Sequence, residues 1–124
     1  MSKVLLIDDD PLILEYLKRI CAAKNHVALT AQTGLEGCHL AADPEIQLII
    51  TDLRLGGQLQ KMDLVRELKR RRPELPMIVI SGYPSDALLE ECRAIGVTDF
   101  LTKPFEMSFA ANIIDRLLQQ PSGN

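Results

Sequence analysis

The sequence predicts a doubly wound α/β fold, in which a five-stranded parallel sheet is covered on both faces by five helices. Two observations lead to this class. Five short apolar segments alternate along the chain with five segments whose apolar residues recur at helical spacing. The connections between them are short, so right-handed crossovers would place the helices on both faces of an open parallel sheet.

The first half of the chain supplies three of the strands. Residues 4–7 (VLLI) are wholly apolar and residues 47–51 (QLIIT) largely so, as expected of strands that are buried on both faces. Residues 26–30 (HVALT) predict a weaker second strand. The first and third strands are each followed directly by aspartate.

The first two helices have recognisable starts. Asp10 is a good N-cap, and Pro11 suits the first helical position. Thr33 and Glu36 match a capping box, and we expect the second helix to run through Ala42. The apolar residues of the first helix recur at helical spacing: Ile13, Leu17, Ile20 and Cys21.

The second half continues the alternation. Residues 76–80 (PMIVI) predict the fourth strand and residues 99–102 (DFLT) the fifth. Ser85 can cap the fourth helix, which Gly96 ends. The apolar residues of the third, fourth and fifth helices are, in order, Leu64, Val65 and Leu68; Leu88, Leu89, Cys92 and Ile95; and Phe109, Ile113 and Leu117.

The composition is that of one globular domain, with 47% hydrophobic and 25% charged residues among 124. We expect a single domain over residues 1–120, followed by a tail or the start of a linker over residues 121–124. No apolar run approaches the roughly 20 residues needed to span a bilayer, and no signal segment is recognisable, so we expect a cytoplasmic protein. Cys21, Cys38 and Cys92 are too few and too far apart for a disulfide framework or a metal pair, and we expect reduced thiols.

The net charge of −3 argues against a nucleic-acid-binding module, which normally presents a basic face. The basic run at residues 69–72 (KRRR) is the one exception. It lies at the end of the predicted third helix, where cations complement the helix dipole. Four charges at one helix end make no continuous stripe, so we interpret the run as a solvated helix end rather than a docking patch.

Five polar residues follow the ends of four predicted strands. Asp8 and Asp9 follow the first strand and Asp52 the third. Ser81 follows the fourth and Lys103 the fifth. Each has an ordinary interpretation when it is taken alone, as a turn, loop or surface residue. Ligands of open α/β sheets bind beyond the carboxyl ends of the strands, so their joint placement favours a functional site at this edge.

The residue types at this edge suit phosphoryl transfer. Three carboxylates brought together repel one another unless a cation neutralises them, and oxygen ligands without His or Cys suit Mg²⁺. The Mg²⁺ ion would also screen an incoming phosphate, with Asp52 as the carboxylate nucleophile that forms an acyl phosphate. Lys103 would supply positive charge, and the Ser81 hydroxyl and nearby backbone N–H groups would bind the phosphoryl oxygens.

Three motifs carry the most specific signal: residues 4–11 (VLLIDDDP), 49–54 (IITDLR) and 100–105 (FLTKPF). In this order, with Ser81 and a glycine before the third, they resemble the receiver domain of two-component response regulators (CheY-like) over essentially the whole chain. The resemblance implies a flavodoxin-like strand order, 2-1-3-4-5. The predicted single domain would then be a receiver domain.

The resemblance also implies roles for the site residues. Asp52 would accept a phosphoryl group from a histidine kinase or phosphotransfer protein. Asp9 and Asp52 would bind Mg²⁺ directly, Asp8 would act partly through water, and the backbone carbonyl of Arg54 would complete the protein ligands. Lys103 would remain the charge partner of the phosphoryl group.

By the same resemblance, Ser81 is the switch hydroxyl, which is drawn toward the phosphoryl group. Phe100 is the switch aromatic, which turns inward as space opens behind it; a plain core aromatic is the alternative at this position. The face formed by the fourth helix, fifth strand and fifth helix would report the change to a downstream effector or a covalently attached output domain. A homodimer through the face of the fourth and fifth helices is left open, since no sequence feature settles it.

The chain departs from the family pattern between Asp52 and Met62. Most members have proline four residues after the aspartate and then an acidic-glycine turn, whereas residues 55–61 (LGGQLQK) lack both and make the loop about one residue longer. Its glycines favour unusual mobility, which would alter kinase recognition or access of water. Arg54 and Tyr83 lie where family members tune hydrolysis, and our hypothesis is that their bulk slows loss of the phosphoryl group.

Two other functions compete with a phosphorylated receiver, which would catalyse only its own phosphorylation and dephosphorylation. The first is a degenerate receiver that acts only as a docking module, against which the complete set of five polar site residues argues. The second is a magnesium-dependent hydrolase with an aspartate nucleophile, for which Asp8 and Asp10 have a superficially suitable spacing. That class requires a hydroxyl residue or valine where Pro11 and Leu12 stand, and a cap domain. We expect neither direct nucleic-acid binding nor membrane association.

Overall fold

The fold is a five-stranded parallel sheet between two layers of helices. The computed structural model describes residues 2–53, 61–82 and 84–119. The elements, in chain order, are β1 Lys3–Ile7, α1 Pro11–Ala23, β2 Val27–Ala31, α2 Gly34–Leu40, β3 Ile46–Asp52, α3 Lys61–Arg71, β4 Met77–Ser81, α4 Asp86–Ile95, β5 Asp99–Thr102 and α5 Met107–Gln119. No helix in these parts of the chain is long and apolar enough to cross a membrane.

The sheet has the order β2-β1-β3-β4-β5, and all of its neighbouring strands are parallel. This confirms the predicted fold class and strand order. The order reverses between β1 and β3, since the chain first builds outward to β2 and then returns to the other side of β1. The carboxyl ends of β1 and β3 therefore lie side by side at the position where doubly wound folds bind their ligands.

Side-chain alternation along the strands divides the core into two clusters. In β1, Leu5 and Ile7 pack on one face of the sheet, and Val4 and Leu6 pack on the other. The first cluster includes residues of α2, α3 and α4, and the second includes residues of α1 and α5. Both faces of β1 are covered from Val4 to Ile7, which is why these four residues are all apolar.

The predicted helix caps form. The side chains of Asp10, Thr33 and Ser85 each accept a hydrogen bond from a backbone N–H in the first turn of α1, α2 and α4, respectively. Gly96 follows α4 with φ of 110°, a left-handed conformation that glycine adopts without strain.

The second helix ends earlier than predicted. Helix α2 stops at Leu40, because Ala42 and Asp43 donate to the carbonyls three residues before them and so tighten the last turn. Pro44 also disfavours helical backbone at the residue before it. Gly37 lets α2 approach β1 closely, since a Cβ atom there would lie 2.5 Å from Cδ1 of Ile7.

Candidate functional site

Three carboxylates converge where β1 and β3 end. Asp8 and Asp9 directly follow β1, and Asp52 is the last residue of β3. Asp8 is fully buried, Asp52 is 3% exposed, and Asp9 faces solvent. One carboxylate oxygen from each lies within 4.8 Å of the others. This acidic cluster could hold a metal ion.

The third aspartate of the run serves helix α1 instead. The Asp10 side chain accepts a hydrogen bond from the backbone N–H of Leu12 at 2.9 Å. The backbone N–H of Asp10 donates to Oδ1 of Asp8, also at 2.9 Å. The capping turn therefore fixes the Asp8 carboxylate in its inward position, so the order of the three aspartates along the chain decides which of them enter the cluster.

The Asp8 carboxylate is only partly satisfied. Its Oδ2 atom is buried and accepts no hydrogen bond from the described residues, although Lys103 Nζ lies 3.4 Å away as an ion pair. Burial raises the pKa of Asp8, and the charge of Asp52 adds to this, while the hydrogen bond from Asp10 opposes it. A buried carboxylate oxygen beside a second carboxylate is stabilised by an additional cation, so the donor set fits a divalent ion.

Lys103 bridges the two buried carboxylates from the end of β5. Its Nζ donates to Oδ2 of Asp52 at 3.1 Å, and its backbone N–H donates to the carbonyl of Ser81 at 2.9 Å. Burial alone would lower the pKa of Lys103, but the hydrogen bond to Asp52 and the charges of Asp52 and Asp8 outweigh it and raise the pKa. Lys103 is therefore a fixed ammonium group at neutral pH. The peptide bond from Lys103 to Pro104 is cis.

Ser81 and Gly82 form the part of the edge that belongs to β4. Ser81 is the last residue of that strand, is 8% exposed, and lies in register with Thr102, directly before Lys103. A Cβ atom at Gly82 would meet no heavy atom of the described residues within 4 Å.

Phe100 lies one strand over from Ser81, in register with Val79 of β4. Its side chain is partly buried and packs against the first core cluster. The guanidinium carbon of Arg93 lies 5.6 Å from the centroid of the Phe100 ring. A small cavity of about 10 Å³ lies between α4 and the sheet, and Ser81 and Phe100 form part of its wall. The contact with Arg93 could not be predicted from the sequence, because the two residues belong to different elements.

An apolar groove of about 690 Å³ borders the site on the side of α1. Leu12, Tyr16 and Phe105 line it, together with Lys103. The Tyr16 hydroxyl donates to the carbonyl of Phe105 at 3.3 Å, and the two rings lie 5.7 Å apart. Leu12 is 78% exposed, so it presents most of its side chain at the edge of this groove. This groove was not predicted, since it depends on how α1 packs beside the segment after β5.

Some of the predicted site lies outside the described residues. This applies to the proposed backbone ligand Arg54, to Tyr83 and to residues 55–60 of the atypical loop. Lys61, which was predicted to belong to that loop, is instead the first residue of α3.

The basic run ends α3, as the sequence predicted. Lys69 Nζ donates to the carbonyl of Leu75 at 2.7 Å, and Arg70 and Arg71 both pair with Glu67. The guanidinium of Arg72 donates to backbone carbonyls before and at the start of β3. All four cations therefore make contacts within the fold, which is the pattern of a helix end rather than of an unpaired docking patch.

Comparison with known proteins identifies the family. Residues 4–115 match the family model for the response regulator receiver domain. The transcriptional regulatory protein GlrR of Escherichia coli K12 is 31% identical over 119 residues, which are 96% of this chain and 27% of that protein. The photosynthetic apparatus regulatory protein RegA of Cereibacter sphaeroides is 35% identical over 101 residues, or 82% of this chain and 54% of that protein. The chain thus spans only about a quarter to a half of these curated relatives.

Solved structures agree with this result. The receiver domain of NtrX from Brucella abortus is 27% identical and superposes with a TM-score of 0.87, covering 95% of this chain and 99% of that one. A response regulator receiver domain from Clostridium thermocellum is 26% identical, with a TM-score of 0.86 and coverage of 95% and 94%. Together with the acidic edge of the sheet, these matches show that the chain belongs to the response regulator receiver domain family, the phosphoacceptors of two-component signalling.

Proposed function

We propose that Asp52 accepts a phosphoryl group from a phosphohistidine of a histidine kinase or phosphotransfer protein. The observation that carries this proposal is the arrangement around Asp52, whose carboxylate is held by Lys103 at 3.1 Å and lies against Asp8 and Asp9. We assign the receiver domain to residues 1–120 and a tail or linker start to residues 121–124. We place the reaction in the cytoplasm, because kinases draw on ATP there.

The transfer step balances without another reactant. An oxygen of the Asp52 carboxylate forms a bond to phosphorus as the bond from phosphorus to the donor imidazole nitrogen breaks. The bonding pair stays on the imidazole, and the product is a mixed anhydride on Asp52. The Lys103 ammonium, already beside this carboxylate, compensates the charge that the phosphoryl group adds. The Ser81 hydroxyl is placed at the same edge to hydrogen-bond a phosphoryl oxygen.

We propose Mg²⁺ as the cofactor, held by Asp8, Asp9, Asp52 and the backbone carbonyl of Arg54. The oxygen-only donor set and the incompletely satisfied Asp8 Oδ2 support this choice. When bound, the ion would neutralise the carboxylates and screen the phosphoryl oxygens during transfer. Asp9, the solvent-exposed member, leaves the open side of the cluster accessible to the ion and to the donor.

The response to phosphorylation would run through Ser81 and Phe100. Both residues line the small cavity between α4 and the sheet, so movement of Ser81 toward a phosphoryl group changes the space that is available to the Phe100 ring. We propose that the face of α4, β5 and α5 then binds a downstream effector, an attached output domain or a second copy of the chain. Phosphorylation and partner binding must strengthen each other equally, because they bias the same equilibrium.

The donor protein would approach along the groove beside α1. This groove is apolar, contains the strongly exposed Leu12 and reaches Lys103, so a docked helix would bring its phosphohistidine to the open side of the carboxylates. We propose that the chain is a phosphoacceptor rather than an enzyme with an external substrate. Our hypothesis that Arg54 and Tyr83 slow phosphoryl loss is contradicted if the intact chain loses phosphate faster than an Arg54→Ala, Tyr83→Ala double mutant.

The test is the intact mass of the chain after incubation with acetyl phosphate, with Mg²⁺ or with EDTA. We expect one base-labile phosphoryl addition that requires Mg²⁺ and is absent from Asp52→Asn. Asp63→Asn is the matched control, because Asp63 is an exposed carboxylate in the first turn of α3. It should be modified like the native chain.

The other functions predict different results. A docking module would show no addition with acetyl phosphate or with a phosphorylated histidine donor protein. A phosphohydrolase would release phosphate steadily from a small phosphate ester. Either result would overturn the proposed function.

A further inference from the structure

The contact between Arg93 and Phe100 joins helix α4 to strand β5. The Arg93 guanidinium carbon lies 5.6 Å from the ring centroid, within the range of a favourable cation–π contact. Arg93 is exposed on α4, and Phe100 is partly buried on β5. The cation therefore covers the outer side of the ring while the core cluster contacts its inner side.

Helix α4 is weakly anchored by its apolar residues. Of its ten residues only Cys92 is buried, whereas α1 and α5 each bury four. An ion pair and a cation–π contact supplement this packing. Arg66 of α3 pairs with Glu91 of α4, and the Arg93 guanidinium lies over the Phe100 ring. An element with few buried apolar contacts moves at low free-energy cost, so these two contacts contribute measurably to holding α4 in place.

The space behind Phe100 is too small for its ring. The cavity between α4 and the sheet measures about 10 Å³, which is close to the room that one water molecule needs. The ring can turn inward only if α4 or Ser81 moves. Because the exposed Arg93 guanidinium lies over the outer side of the ring, an inward turn would lengthen this contact, so the contact favours the present orientation of Phe100.

We propose that Arg93 is a positioning residue that holds Phe100 in its present orientation and so opposes the phosphorylation-linked switch of this domain. The inference rests on the proposed function, because it requires that a phosphoryl group on Asp52 favours the inward orientation. The new element is that a surface cation on α4, away from the carboxylate cluster, sets how strongly the present orientation of Phe100 is favoured over the inward one.

The direction in which the affinity for a phosphoryl analogue changes when Arg93 is replaced separates a positioning role from a purely structural one. Removing the cation destabilises only the unphosphorylated arrangement, so a phosphoryl analogue should bind more tightly. An exposed cation–π contact would change the affinity roughly two- to fivefold. A residue that merely supports the fold would give unchanged or weaker binding when it is replaced.

The experiment is a calorimetric titration of the chain with beryllofluoride, an acyl-phosphate analogue, in the presence of Mg²⁺. Arg93→Gln should bind roughly two- to fivefold more tightly than the native chain, and Arg93→Lys should retain part of the native behaviour. Arg19→Gln is the control, because Arg19 is an exposed arginine on α1 that pairs only weakly with Glu15. In a Phe100→Leu background, Arg93→Gln should have no further effect.

Each outcome has a distinct meaning. Tighter binding by Arg93→Gln that disappears in the Phe100→Leu background supports the inference. Unchanged or weaker binding by Arg93→Gln, with a native chain that binds the analogue, overturns the inference and leaves the proposed function standing. A native chain that binds no analogue and takes up no phosphoryl group overturns the proposed function itself. The amide chemical shift of residue 100, followed by NMR in each variant, reports whether the fold is kept and, where Phe100 is present, whether its ring environment is kept.

Discussion

Asp8 illustrates a conflict between stability and function at a single residue. Its carboxylate is completely buried, its Oδ2 atom accepts no hydrogen bond from the described residues, and Asp52 lies against it. Lys103 compensates for the buried negative charge only in part, since its Nζ lies 3.4 Å from Oδ2 of Asp8. In the absence of a metal ion, the ionised Asp8 therefore costs folding free energy, which is the arrangement expected where a cation site has been kept at the expense of stability.

We expect Asp8→Asn to raise the free energy of unfolding by about 1–2 kcal/mol in EDTA at neutral pH, because it removes the buried charge. The folded-state pKa of Asp8 is raised, so the stability that its protonated form contributes is lost as the pH rises through that pKa. The gain in the free energy of unfolding from Asp8→Asn should therefore shrink in acid, where Asp8 is protonated in both the folded and the unfolded chain. Urea denaturation at several pH values measures this.

Asp10, two residues after Asp8, provides the control for this experiment. Asp10→Asn preserves an exposed N-cap, since asparagine caps helices as well as aspartate does, and should change stability little. Addition of Mg²⁺ should stabilise the native chain and Asp10→Asn more than Asp8→Asn. A loss of stability in EDTA for Asp8→Asn would show that the buried charge is better compensated than its contacts indicate.

At the scale of elements, the end of α3 is tied to the start of β3 by one side chain. Arg72 is 17% exposed and donates to the carbonyls of Ala41, Asp43 and Ile46, at 3.0, 2.8 and 3.3 Å. The carbonyls of Ala41 and Asp43 belong to the connection between α2 and β3, and that of Ile46 belongs to the first residue of β3. Because β3 ends at Asp52, these hydrogen bonds help to fix the strand that carries the Asp52 carboxylate.

We expect Arg72→Lys to lower the free energy of unfolding by about 1–3 kcal/mol, because a lysine cannot satisfy three carbonyls with the geometry of a guanidinium fork. Arg70→Lys is the matched substitution within the same basic run, since Arg70 is 70% exposed and, among the described residues, pairs only with Glu67. It should cost less than about 0.5 kcal/mol. Equal effects in urea denaturation would contradict the role given to Arg72.

At the scale of the whole molecule, the sequence was sufficient for the class of fold and the location of the site. The strands are short and apolar, and the capping residues Asp10, Thr33 and Ser85 are local signals that tertiary packing did not override. Once five parallel strands are assigned, their polar carboxyl-terminal residues must meet at one edge. The convergence of Asp8 and Asp52 follows from topology alone.

Features that depend on packing between elements could not be predicted. The end of α2 at Leu40 depends on a tightened turn, and the stacking of Arg93 on Phe100 depends on how α4 lies against β5. The groove beside α1 has the same origin, since it depends on how α1 packs beside the segment that follows β5. These contacts join residues whose sequence neighbourhoods carry no information about each other.

The three cysteines test the packing of the whole chain. Cys21, Cys38 and Cys92 are all buried and free, and burial raises their pKa values, that of Cys21 to about 11. We expect iodoacetamide to leave all three unmodified at neutral pH in the folded chain and to modify all three in urea. Rapid labelling of the folded chain, measured by intact mass, would show that the core opens far more readily than its burial indicates.

The most direct test of the central claim is to locate the phosphoryl group. The chain is phosphorylated with acetyl phosphate and Mg²⁺, the acyl phosphate is reduced with borohydride, and the peptides are sequenced by mass spectrometry. We expect homoserine at position 52 and unmodified aspartate at Asp8, Asp9 and Asp10. Homoserine at any of those three positions, with Asp52 unchanged, would contradict the assignment of Asp52 as the phosphoacceptor.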